Sequence, residues 1–263
     1  MTASTSLQGR ATIVTGAGGA IGSATARALV EAGAKVLLVD IREEALNASV
    51  AKLREAGATV EGCVADCSQE ADVRRYVGAA LSHFGRIDGF VNNAGVEGKL
   101  GPIDTYEVTE FDRIITTNLR SMFLGLRFVA EVMIGQGKGA IVNTASIASE
   151  RGLAGACAYN ASKHGVLGLT RTAASDLAGR GVRVNCIMPG VIETPLLNAM
   201  LVQMFEGGVE EGQRVLGKVA TMDRIGQPME IGAVMAFLLS DAASFVNGAA
   251  WAVDGGALAT IRN

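Results

Sequence analysis

Three side chains in one short stretch have the types and spacing for proton-transfer chemistry: Ser146, Tyr159 and Lys163, within SIASERGLAGACAYNASK. If Tyr159 opens a helix, positions i and i+4 share a face, so phenol and ammonium project the same way. A free phenol has a pKa near ~10 and is a poor base at neutral pH. A fixed cation beside it favours the phenolate, and each unit of depression takes roughly 1.4 kcal/mol of differential interaction. The pair is therefore read as a general acid/base. Tyr-x-x-x-Lys also recurs by chance on surface helices, so the reading requires a cofactor site upstream.

Such a site is present. An apolar run, 11–15, ends in the turn TGAGGAIG (15–22), beyond which Ile21, Ala24, Ala28, Leu29 and Ala32 recur at helical spacing and Gly33 closes the helix. A second apolar run, 36–39, ends at Asp40. Strand, glycine turn, helix, strand and acid together make a dinucleotide-binding βαβ unit. Gly16 permits the tight turn, small residues let backbone N–H groups approach a pyrophosphate, and the helix N-terminus adds partial positive charge. Asp40 stands where adenosine ribose hydroxyls arrive and would repel a 2′-phosphate, which favours NAD over NADP; Arg42, two residues on, is the feature that argues the other way.

Other chemistries lack their parts. Two histidines, His83 and His164, leave little for a zinc site or a Ser-His-Asp triad, and no GxSxG occurs. No metal is expected. Cys63, Cys67, Cys157 and Cys186 show neither metal-ligand nor disulfide spacing and read as reduced thiols. A net charge of −3 without a basic stripe argues against nucleic acid. No signal segment or run of 18 apolar residues is seen, so the expectation is a cytoplasmic protein that does not enter membranes.

The elements that must hold these residues alternate along the chain. Helices are expected near 43–56, 70–83, 107–135, 159–178 and 228–240, and strands at 59–64, 87–92, 139–144, 182–188 and 249–253, the last carrying the only tryptophan, Trp251. Pro189-Gly190 should break the 182–188 strand, and 195–225 reads as irregular or short helices. With 49% hydrophobic and 19% charged residues, the chain can bury a large interior. Near-continuous apolar strands alternating with helices predict an α/β fold: a single doubly wound, Rossmann-type domain over 1–263, with a seven-stranded parallel sheet covered on both faces. Gly16–Gly22, Asp40, Asp66, Asn92, Ser146 and Pro189 then all fall at the carboxyl ends of strands, where ligands bind.

With these motifs in hand, the chain resembles the short-chain dehydrogenase/reductase family over essentially its whole length, through TGAGGAIG, Asp40, Asp66, NNAG (92–95), Asn118, Ser146, YNASK (159–163), PG (189–190) and VDGG (253–256). Serine thirteen residues before tyrosine, and tyrosine four before lysine, is that family's catalytic spacing. One departure is Ala20, where the family usually has glycine; alanine is tolerable if φ stays negative. The resemblance implies that Tyr159 is the general acid/base, that Ser146 bonds the substrate oxygen, that Lys163 holds the nicotinamide ribose and lowers the tyrosine pKa, and that Asn118 anchors a water linking Lys163 to solvent. It implies NAD(H) contacts from Gly16, Gly19, Ile21 and Gly22 at the pyrophosphate, Asp40 and Ile41 at the adenosine ribose, and Asp66 and Cys67 at the adenine. Asn92, Ala94 and Gly95 would follow, with Pro189, Gly190, Ile192 and Thr194 at the nicotinamide. It also implies a homotetramer, which small residues on the helix after Tyr159 (Ala161, Gly165, Gly168, Thr172) support.

Some residues keep two readings. Asp66 could simply cap the next helix, as could Ser68. Met200, Leu201, Met204 and Phe205 are either core or a lid, within 194–225, over an apolar substrate. His164 points about 100° away from Lys163 round the helix and reads as structural; Cys157 reads as packing. Leu153, Met200 and Met204, with Ser146 and Tyr159, are the candidate substrate contacts, and Arg151 is the one cation near enough for a carboxylate. The expected small-molecule substrate is a neutral, rather apolar secondary alcohol or ketone, and the segment NNAGVEGKLGPI resembles relatives that act on cyclic ones. The alternatives are a 3-oxoacyl-thioester reductase and an NAD-binding sensor without turnover.

Overall fold

The structure, a computed structural model, describes residues 4–259, save the side chains at 196, 199, 200, 203 and 204. Seven strands, β1 (Ala11–Thr15), β2 (Lys35–Asp40), β3 (Val60–Val64), β4 (Gly89–Asn92), β5 (Gly139–Thr144), β6 (Val182–Pro189) and β7 (Ala250–Val253), form one parallel sheet in the order 3-2-1-4-5-6-7. The burial of each strand follows its place. β1, β4 and β5 are buried at every position, as apolar strands covered on both faces must be. β3 at one edge and β7 at the other are partly open.

One face is covered by α1 (Ala20–Glu31), α2 (Glu43–Glu55) and α9 (Pro228–Leu239), whose Leu29, Leu46, Val50, Ile231 and Met235 share a core with Val14, Val36 and Leu38. The other is covered by α3 (Glu70–Phe84), α5 (Ser121–Gln136) and α6 (Cys157–Ala178), which pack Val73, Tyr76, Phe128, Val129 and Leu177 on Ile13, Leu37, Phe90 and Ile141. The result is the single-domain, doubly wound Rossmann fold expected. Among the described residues no helix is long and apolar enough to cross a membrane.

Three local features refine the expectation. The long helix before β5 runs without a break but changes pitch: α4 (Val108–Ile115) passes into a five-residue π turn, Thr116–Arg120, before α5. β6 runs through Pro189 rather than stopping before it, and Gly190 N–H still donates to Val253 O at 3.1 Å. Proline fits there because it needs no ladder donor at the strand's last position. The segment 195–225 holds two regular helices, α7 (Pro195–Met204) and α8 (Gly208–Gly217). They leave and rejoin the body of the protein at one point, where Ile192 and Gly226 form a parallel bridge.

Candidate active site

Strand order reverses between β1 and β4, and the glycine turn sits in the crevice beyond their carboxyl ends. The turn is built by close approach. Gly16 has φ +66°, and a β-carbon there would lie 3.0 Å from Ala94 Cα and from Asn93 Nδ2. A β-carbon on Gly22 would fall 2.1 Å from Gly16 O, so the first turn of α1 rests directly on the loop. Gly19, extended at φ −87°, caps α1 without a side chain to occupy the first N–H groups. Asp223 is the only non-glycine among the described residues with positive φ, so Ala20 enters the helix unstrained.

Asp40, at the end of β2, is only 4% exposed. Its Oδ2 accepts the Gly18 N–H at 2.9 Å, and its Oδ1 accepts the Arg42 N–H at 2.9 Å and Arg42 Nε at 3.3 Å. The acid thus braces the glycine turn. Gly18 was not singled out from the sequence, and it belongs here for a specific reason. A β-carbon on it would meet Ala45 Cβ at 2.9 Å and Asp40 Oδ2 at 3.0 Å. An uncapped helix N-terminus, a buried carboxylate and a turn that admits no added carbon are what a dinucleotide's pyrophosphate and ribose require, so these residues fit that cofactor.

The ends of β1, β4 and β5 are tied together by side chains. Thr15 Oγ1 accepts N–H groups from Asn93 (2.9 Å) and Ala94 (3.1 Å); Asn93 Nδ2 donates to Thr15 O (3.0 Å), and Thr144 Oγ1 donates to Asn93 Oδ1 (3.1 Å). Asn92 is 2% exposed and donates to Met122 O at 2.9 Å, so its side chain braces α5. Thr15 and Asn93 lay inside recognised motifs, yet nothing in their types alone marked them as knots between strands.

The catalytic candidates gather at the same rim. Ser146 follows β5 and caps the short turn Ile147–Ser149 by accepting the Ala148 N–H at 3.1 Å, and its hydroxyl favours the Tyr159 phenolate. Ser149 Oγ accepts the Ser146 N–H at 3.2 Å and donates to Lys163 O at 2.8 Å, which locks that turn to α6. Lys163 is buried; its Nζ donates to Thr144 O at 2.9 Å and lies 5.6 Å from the centre of the Tyr159 ring. Asn118, in the π turn, is fully buried. Its Oδ1 accepts the Val96 N–H at 2.8 Å, and its Nδ2 donates to Val96 O at 2.7 Å and to Ser162 Oγ at 3.2 Å. A β-carbon on Gly95 would touch Asn118 Oδ1 (3.2 Å) and approach Lys163 Nζ (3.7 Å).

The electrostatics differ from the simple expectation of a cation lowering a phenol. Burial pushes the Tyr159 phenol up; the hydrogen bond from Ser146 opposes this, and the charge of Glu97 adds to the rise. Burial likewise brings the Lys163 ammonium down from 10.5 to about 8, against the raising influence of Glu97. The ammonium is engaged by the Thr144 carbonyl, and burial makes it release its proton more readily, so in this state the serine is the group that favours the phenolate. Glu97 is a further residue that sequence reasoning missed. It follows NNAG closely, but only folding brings it to the pair.

The remaining expected residues are spread around this centre. Asp66 caps nothing: its Oδ1 accepts from Ser68 N–H (2.9 Å) and Ser68 Oγ (2.7 Å), while α3 is capped at Gln69 without a side-chain bond. Neither Asp66 nor Ser68 is therefore the helix cap, because their turn closes before α3 begins. Cys67 is buried, its thiol pushed up to about 12 by burial, while Ile41 is 62% exposed. Ile192 is buried in the core, and Thr194 Oγ1 caps α7 by accepting the Leu197 N–H at 3.1 Å, so either would meet a ligand through its backbone. Leu153 is exposed on the loop after Ser146. Arg151 donates to Ala257 O and is engaged away from the site. Met200 and Met204 have side chains outside the described ones, whereas Leu201 is core. His164 bonds Asn160 O at 2.9 Å on an exposed face, and Cys157 is part-buried. No cluster among the described residues could hold a metal ion.

Comparison with known proteins agrees with this geometry. A family model described as enoyl-(acyl carrier protein) reductase matches residues 16–257. Levodione reductase of Leifsonia aquatica is 45% identical over 94% of this chain and 93% of its own. Cyclohexanol dehydrogenase of Acinetobacter sp. (strain SE19) is 37% identical over 92% of each chain. Among solved structures, levodione reductase superposes with a TM-score of 0.92 at 44% identity, covering 97% of this chain and 99% of that one. NAD+-bound xylitol dehydrogenase does so with 0.89 at 37% identity, covering 95% and 99%.

Proposed function

The chain belongs to the short-chain dehydrogenase/reductase family, and on that footing we propose that it is an NAD(H)-dependent oxidoreductase interconverting a neutral, apolar, cyclic secondary alcohol and its ketone. The observation that carries the chemistry is the convergence of Ser146, Tyr159 and Lys163 at the rim shared with the glycine turn, with Lys163 Nζ 5.6 Å from the Tyr159 ring centre. In this reading Ser146 bonds the substrate oxygen and Tyr159 exchanges the hydroxyl proton. Lys163 holds the nicotinamide ribose, and Asn118 fixes the π turn and the loop at Val96 beside it. Nicotinamide, when bound, supplies the hydride chemistry; the protein supplies position and charge.

NAD is favoured over NADP because Asp40 is buried, its carboxylate directed at the glycine turn, where a 2′-phosphate would meet like charge. Cyclic substrates are suggested by the names of the two relatives above. The thioester-reductase alternative finds less support, since Arg151, the cation nearest the site in sequence, is spent on Ala257 O. A homotetramer is part of the proposal. Val108, Phe111 and Phe123 are exposed along α4 and α5, Gly168 has open space above it on α6, and Phe245 is fully exposed near β7. A cytoplasmic location accords with four free cysteines.

A panel of cycloalkanols and aryl alkyl carbinols with NAD, followed at the NADH absorbance, tests the substrate class. Activity confined to charged acids or acyl thioesters would reject it. Tyr159→Phe should abolish most turnover while leaving NAD binding intact; a sensor would be indifferent to the change. Light scattering that finds only monomer would remove the tetramer.

A further inference from the structure

Ser146 and Lys163 are joined through a third buried side chain, Ser149, which is 2% exposed. Its hydroxyl accepts the Ser146 N–H at 3.2 Å and donates to Lys163 O at 2.8 Å. The direction of both bonds is fixed, because an N–H can only donate and a carbonyl can only accept. Lys163 thereby grips the chain on both sides of Ser146. Its Nζ donates to Thr144 O, before the serine, and its carbonyl accepts from Ser149, after it. Just past the turn, Asn160 Nδ2 donates to Arg151 O at 2.6 Å. Ser146 itself has an extended backbone, φ −167° and ψ 162°, and its Oγ accepts the Ala148 N–H at 3.1 Å. The place of that Oγ therefore depends on the turn Ile147–Ser149, and Ser149 is the side chain of the turn that hydrogen-bonds α6.

We propose that Ser149 is a positioning residue for the reaction: its hydroxyl fixes Ser146 against α6, so that the Ser146 Oγ meets the substrate oxygen beside Tyr159. The inference rests on the reading of Ser146 as the group that bonds that oxygen. In the same reading Lys163 Nζ serves the nicotinamide ribose. The link through Ser149 runs instead from a hydroxyl to backbone and draws on no group that the cofactor would engage. Without the Ser149 hydroxyl the buried Ser146 N–H loses its partner, and the turn is free to shift toward another. Misplacing a reacting group by about 1 Å costs on the order of 100-fold in rate, so a bond that never touches substrate can govern turnover.

A double-mutant cycle on the full enzyme, with NAD and the best alcohol of the panel above, tests this. S149A should lower kcat roughly 10- to 100-fold while NADH affinity, read by fluorescence titration, stays at the wild-type value. S149C, whose thiol is a weak donor and acceptor, should fall between the two and serves where S149A does not fold. In the S146A background S149A should cause no further loss, because nothing is left for it to position. S240A removes another buried hydroxyl, bonded to Phe237 O at 2.7 Å beyond the end of α9, and should leave kcat unchanged. Wild-type kcat in S149A, or in S149C where it stands alone, overturns the inference. So does an equal loss in the S146A background or in S240A. An S146A enzyme with full turnover removes the premise instead, so the two failures are distinguishable.

Discussion

Asp40 accepts the backbone N–H of Gly18 at 2.9 Å while remaining 4% exposed, so the residue that would choose the cofactor also shapes the loop that would hold it. Selectivity and loop geometry are coupled through one carboxylate. Asp40→Ser should weaken NAD binding by roughly 10- to 100-fold, the worth of a lost charge-assisted hydrogen bond. NADP binding should weaken less or improve, because Arg42 loses its internal partner and becomes available to a phosphate. Fluorescence titration with NADH and NADPH measures both; an unchanged ratio of the two affinities would sink the assignment.

Burial holds Lys163 near 8 in the folded state against 10.5 for the free side chain. Between these values the unfolded chain binds more protons than the folded one, so this group makes stability rise with pH across roughly 8 to 10.5. Below 8 its penalty on the cofactor-free fold is constant. Lys163→Met should therefore stabilise the cofactor-free protein at pH 7 by about 1–3 kcal/mol, after allowing for the lost bond to Thr144 O. The gain should fade as pH passes 8. Denaturant melts at pH 7 and pH 9.5 read this directly, and a variant less stable at pH 7 would contradict it.

Gly22 has no room for a methyl group, since a β-carbon would sit 2.1 Å from Gly16 O. The clash is with backbone on both sides, so neither partner can yield cheaply. Gly22→Ala should cost about 3 kcal/mol or more. It should also displace the glycine turn, so NAD affinity falls with stability. A variant that melts and binds like wild type would show that α1 can slide.

Asn118 makes two bonds to Val96 and one to Ser162, all from one buried amide. Asn118→Ala should cost about 2–4 kcal/mol through the groups it leaves unpaired. Exchange of the Val96 amide hydrogen should accelerate far more than that of Val91 on β4, since only the loop is released. Equal protection at Val96 in the two proteins would refute the clamp.

Much of this was legible in the chain, for identifiable reasons. The order of strands and helices followed from apolar runs of length four to eight separated by longer periodic stretches. Asp40 and the glycine turn were visible because a phosphate-binding turn tolerates few residue types. What escaped notice depends on approach between distant segments. Glu97 is an ordinary loop carboxylate until Asn118 pins its neighbour. Gly18 is one glycine among four in its turn until Asp40 folds over it. The π turn at Thr116–Arg120 left no periodic signature, because one extra residue in a helix barely disturbs an apolar pattern while rotating every side chain that follows.

The bridge between Ile192 and Gly226 has a consequence for how the segment it closes can vary. The Gly226 N–H donates to Val191 O at 2.8 Å, and the Glu193 N–H donates to Gly226 O at 2.8 Å. Both ends of the α7–α8 excursion are thus stitched at a narrow neck, and the entropy of closing that loop is spent there, whatever the excursion contains. The excursion behaves as an exchangeable cassette: its sequence can change while Ser146, after β5, and Tyr159 and Lys163, on α6, keep their places.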